Sequence, residues 1–83
     1  MPGKSKQRYQ VNFNTLGFRK LQGKLPRGVA IWVFYFSDAP EEAWAPHKDG
    51  QLVPMTYLAA KDYATAEAVR RKVTSVRVDP EPL

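Results

Sequence analysis

The chain has no cysteine. Disulfide staples and thiolate metal sites, the common supports of very small proteins, are therefore excluded, and stability must come from packing or from a partner chain. Long hydrophobic runs are missing too: the longest, Val29 to Phe36, falls well short of the roughly 20 residues a bilayer-crossing helix needs. Behind the basic segment Met1 to Arg8 comes Tyr9-Gln10-Val11-Asn12 rather than the apolar core of a signal peptide. The expectation is a cytoplasmic protein without membrane attachment. Histidine occurs once, as His47 between Pro46 and Lys48, and without a thiol or a second imidazole it cannot complete a typical zinc site.

Catalytic signatures are equally scarce. Ser5, Ser37 and Ser75 stand in no nucleophile motif, and Gly17, Gly23 and Gly28 are spaced too irregularly for a phosphate-cradling loop or a dinucleotide fingerprint. Asp38, Glu41 and Glu42 form a carboxylate cluster, but helix capping and the helix dipole account for all three without invoking acid–base work. No catalytic residue, cofactor or metal is assigned.

What the chain does have is enough apolar material for one core. At 83 residues it has room for a single domain, and its 43% hydrophobic and 25% charged content argues against wholesale disorder. Residues 1–7 read as a flexible basic arm, 8–78 as one α+β domain, and 79–83, with Pro80 and Pro82, as a flexible tail.

Within the domain, Tyr9, Val11 and Phe13 alternate with Gln10, Asn12 and Asn14, the period of a strand with one wet face. Thr15 to Leu25 reads as a strand with an irregular turn rather than a short helix, because Leu16, Phe18, Leu21 and Leu25 fit helical spacing poorly. Val29 to Phe36 reads as the central strand, apolar on both faces. Asp38, Pro40 and Glu41 predict a helical turn reaching about Trp44. Asp49-Gly50 predicts a tight turn, with an edge strand from Leu52 to Tyr57 after it. The clearest helix begins at Ala60 or Asp62 and ends at Lys72, capped by Asp62 or Thr65, with Tyr63, Ala66, Val69 and Val73 as its apolar stripe. Ser75 to Val78 closes the fold as a short strand. The expected architecture is a small, mainly antiparallel sheet of four to five strands with one helix packed on a face.

Arg27 to Phe34 overlays the strand consensus of the RNA-recognition module at its Arg, Gly, Ala and final aromatic positions. Val29 and Ile31 stand where that module carries base-stacking aromatics, and only one helix is expected where it needs two, so the overlay reflects β-propensity. Trp32, Phe34, Tyr35 and Phe36 cannot all turn inward from one strand. The expectation is that the helix covers one face and loop residues such as Trp44 the other.

Charge is distributed unevenly. The first 28 residues carry Lys4, Lys6, Arg8, Arg19, Lys20, Lys24 and Arg27 and no acid, while the whole chain has a net charge of +5. Tyr9 and Phe18 sit beside two of those arginines, an interleaving that suits nucleic acid, with cations on phosphates and rings on bases. The seven cations are the candidate binding residues of a non-enzymatic module for an anionic partner, nucleic acid or the machinery that handles it. The alternative is a small inhibitor or adaptor that docks on an acidic protein surface through its aromatic strand or a sheet edge. A second copy of the chain is a further candidate partner.

Overall fold

Four residues on one face of the second helix explain how this chain closes its core. The helix α2, Tyr57–Arg71, buries Tyr57, Ala60, Ala64 and Ala68, spaced so that they return to the same side at each turn. Small side chains let its backbone come close to a sheet whose own side chains are large: Phe34 and Phe36 are fully buried there, with Val76 and Val78. In the computed structural model, which describes residues 10–81, these groups form one core together with Phe18 and Trp32.

The sheet has four strands in the order β1 (Asn12–Asn14), β8 (Ser75–Val78), β3 (Phe34–Phe36) and β4 (Ala43–Trp44). It is mixed: β1 runs parallel to β8, whereas β3 is antiparallel to both β8 and β4. Two antiparallel ribbons lie outside it, one of β2 (Val29–Ala30) with β7 (Met55–Thr56), the other of β5 (His47–Lys48) with β6 (Gln51–Leu52). A short helix, α1, spans Leu16–Gln22. The α+β class and the single main packing helix are as expected from sequence.

Several elements differ from expectation, each for a physical reason. Within Thr15 to Leu25 the chain is helical over Leu16–Gln22 rather than extended; Gly23, at φ 72°, ends the helix in the left-handed conformation that glycine adopts at no steric cost. The stretch Val29 to Phe36 is not one strand, because the chain changes partners at Trp32. That indole is 2% exposed and donates from Nε1 to the carbonyls of Gly28 and Met55 at 3.2 and 3.1 Å. Its ring lies between Phe18 of α1 and Tyr57 of α2, with centroid separations of 5.5 and 5.2 Å.

The stretch after Asp38 turns and enters β4 instead of making a helical turn, and Asp38 accepts from Arg71 at 3.2 Å. Edge pairing after Gly50 is split between β6 and β7, and Tyr57 already belongs to α2. The cap of α2 is Thr56, whose hydroxyl accepts from the Ala59 N–H at 3.2 Å, not Asp62 or Thr65. Tyr63 and Val69, assigned to the apolar stripe, are exposed, as is Ala66. Trp44 does not cover the far side of the sheet but packs on the core side, against Phe34 and Phe36. In the tail segment, the Asp79 N–H donates to the Val33 carbonyl at 2.9 Å, and Gln22 Nε2 donates to the Pro80 carbonyl at 2.8 Å. The arm 1–7 lies outside the described residues.

Candidate nucleic-acid interface

The basic surface is built on α1. The chain leaves β1 at Asn14, whose Oδ1 accepts from the Leu16 N–H at 3.0 Å, an Asx contact that turns the strand directly into the helix. Phe18 is the one buried side chain of α1. Anchoring by a single ring leaves the remaining faces in solvent, and helical spacing then gathers Leu16, Arg19, Lys20, Gly23, Lys24 and Leu25 around one open concavity of about 400 Å³.

Three of the four described candidate cations thus meet on one surface. Arg19 and Lys20 lie in the last turn of α1, where the helix dipole favours positive charge, and Lys24 follows the cap. Arg27 is exposed but does not line the concavity. Lys4, Lys6 and Arg8 lie outside the described residues. No carboxylate lines this surface, and none of the salt bridges among the described residues involves its cations. Those bridges are all at the far end of α2, where Glu67 pairs with Arg70 and Arg71, and Arg71 also reaches Asp38.

Apolar groups share the surface. Leu16, Leu21 and Leu25 are 54%, 56% and 61% exposed, so α1 presents a mixed basic and apolar face. The central aromatic strand, by contrast, is internal: β3 is flanked by β8 and β4, and Trp32, Phe34 and Phe36 are buried.

Other candidate chemistry is dispersed. His47 is exposed, with Nδ1 at 3.1 Å from the Ala45 carbonyl and its ring against Trp44. Glu41 and Glu42 are exposed. Among the described residues no three His, Asp or Glu side chains converge as a metal site, and no helix is long and apolar enough to cross a membrane.

One feature escaped the sequence reading. The face of the sheet opposite α2 carries Asn12, Asn14, Ser75 and Arg77, all exposed, and a half-buried Tyr35. The Arg77 guanidinium lies over the Tyr35 ring at 4.5 Å from its centroid and donates to the Pro40 carbonyl at 3.3 Å. Alternation alone puts Tyr35 opposite Phe34 and Phe36, and Arg77 opposite Val76 and Val78. The pairing of β3 with β8 is what brings the two together, and that pairing is invisible in either strand's sequence. Comparison with protein-family models, with curated proteins and with solved structures gave no match.

Proposed function

We propose that this chain is a non-enzymatic binding module for an anionic partner, and that the partner is nucleic acid or nucleic-acid-handling machinery of the cytoplasm. The observation that carries the reading is the convergence of Arg19, Lys20 and Lys24 on one surface with no carboxylate among its lining residues. Cations left unneutralised by their own protein keep their full attraction for an external polyanion. Each one that meets a phosphate releases a condensed counterion, which is the main source of sequence-independent affinity. Lys4, Lys6, Arg8 and Arg27 add to the same end of the sequence.

A salt titration of duplex DNA binding tests this. With four to six cations engaged, log affinity against log salt has an expected slope of about −4 to −5. Deleting residues 1–7 removes Lys4 and Lys6 and flattens the slope by up to about 2. Reversing Arg19 and Lys20 to glutamate weakens binding nearly equally across sequences, since phosphate contacts carry no base information. No binding at about 50 mM salt, or a slope indifferent to these changes, defeats the proposal.

The exposed leucines favour a second reading, in which the same face meets an acidic protein surface with apolar groups of its own. There, salt chiefly alters the association rate, and Leu16, Leu21 and Leu25 set the lifetime of the complex.

A further inference from the structure

The open sheet face has a chemistry different from that of the α1 surface. Register places Asn14 beside Arg77 and Arg77 beside Tyr35, forming one row across three strands, with Asn12 beside Ser75 in the next. These residues, with Ser37 and Pro40, line a concavity of about 460 Å³. Arg77 is the only formally charged residue among those that line it, and among the described residues its guanidinium meets no carboxylate.

The concavity therefore offers a flat cationic plane, stiffened by the ring beneath it. Side-chain donors and acceptors stand around that plane at strand spacing. From these features we infer that the open face binds an unpaired base of single-stranded nucleic acid, stacked on the Arg77–Tyr35 layer. Guanidinium planes and aromatic rings are the two platforms on which proteins stack splayed-out bases. Asn12 and Asn14 supply amides that read base edges, Ser75 adds a hydroxyl, and the charge of Arg77 suits the flanking phosphate.

Phe13, Phe36 and Val76 also line the concavity, but the cationic plane of Arg77 over Tyr35 matches the π-face of a base better than it matches the aliphatic or aromatic anchor of a protein segment. Duplex DNA keeps its bases stacked on one another and has no free plane to offer. The face is also continuous with the basic surface: Asn14 is the residue that leads β1 into α1. The inference rests on the nucleic-acid reading and sharpens it, with phosphates held along α1 and a base held on the sheet.

The test uses the full chain and three fluorescent probes: a mixed-sequence single strand of about 12 nucleotides, its duplex, and an abasic strand of equal length and charge. The intact strand is expected to bind roughly 5- to 150-fold more tightly than the abasic one, the range for one stacked base. Arg77→Lys keeps the charge and removes the plane, so it is expected to abolish most of that preference while leaving the duplex affinity and its salt slope unchanged. Tyr35→Phe keeps the platform and the preference. Equal binding of intact and abasic strands, or a preference that survives Arg77→Lys, overturns the inference and leaves the α1 surface standing. Failure of all three probes to bind overturns both. A face that instead meets a second copy of the chain gives a dimer that Arg77→Lys dissociates, with no discrimination among probes, and this too overturns it.

Discussion

The helix α2 commits Tyr57, Ala60, Ala64 and Ala68 to the core over 15 residues, while α1, with 7, commits only Phe18 and leaves Leu16 and Leu21 in solvent. One is capped by the Thr56 hydroxyl; the other has no side-chain cap bond from Thr15. One carries an ion-paired cluster at its end, with Glu67 between Arg70 and Arg71; the other carries Arg19 and Lys20, which take part in none of the salt bridges among the described residues. The contrast separates two uses of a helix. Burial, capping and paired charge hold the fold together, whereas single-point anchoring and unpaired charge keep a surface available to something else.

Trp32 is where the two helices depend on each other, since its ring touches Phe18 on one side and Tyr57 on the other. Trp32→Ala is therefore expected to have the largest effect, costing about 3 to 5 kcal/mol in a denaturant titration. In a protein this small that is enough to populate the unfolded state. If the variant loses only the α1 signals in a hydrogen-exchange experiment and keeps the α2 core, the helices are less coupled than their shared ring implies.

A smaller effect sharpens the description of α2 itself. Ala64 is fully buried and Ala66 is exposed. Ala64→Leu has to push α2 off the sheet, at a cost of about 1 to 3 kcal/mol. Ala66→Leu adds a side chain in solvent and stays within about 0.5 kcal/mol of the parent. The two substitutions share chemistry and helix propensity change, so the gap between their denaturation midpoints measures burial alone. Equal midpoints would return the apolar stripe to Tyr63, Ala66 and Val69.

The smallest effect concerns the paired charges. Hydrogen bonding from Arg70 holds the Glu67 carboxyl down from its usual 4.5 to about 2, opposed by partial burial and reinforced by Arg71. A carboxylate with a depressed folded value contributes stability that is complete above about 4.5 and is lost as pH falls toward 2. Glu67→Gln is expected to be slightly less stable than the parent near neutral pH, by less than Ala64→Leu costs, with the gap closing across that acid window. A stability difference that stays constant from pH 6 to pH 2 would show that Glu67 acts through packing.

How far the sequence could be read follows from side-chain size and spacing. Ser75 to Val78 and the strand ending at Asn14 were legible because alternation leaves little choice about which face is wet. The position of α2 was legible, but its face was not. Alanines carry little weight in an apolar pattern, so Tyr63 and Val69 drew the stripe to the wrong side, although a helix beside Phe34, Phe36 and Trp44 has room only for small residues. The helix α1 was obscured because Leu16, Phe18, Leu21 and Leu25 fit helical spacing poorly, only Phe18 of α1 being buried, although Gly23 is its end signal. With α1 unread, Arg19, Lys20 and Lys24 were a run of charge rather than a surface. Alternation puts Tyr35 and Arg77 opposite the buried residues of their strands, but the contact between them depends on long-range pairing that no local pattern encodes.

The parallel pairing of β1 with β8 has a kinetic consequence. These strands lie at opposite ends of the chain, and β8 sits between β1 and β3. Joining them closes almost the whole chain into a loop, the entropically slowest kind of contact, whereas α2 and the ribbon of β5 and β6 form from neighbours in sequence. Folding is then expected to end with β1 docking onto an otherwise assembled core. Until it does, one edge of β8 stands unpaired and open to strands of other chains. On a ribosome the problem is sharper still: β1 emerges well before β8 and must wait for it to be made.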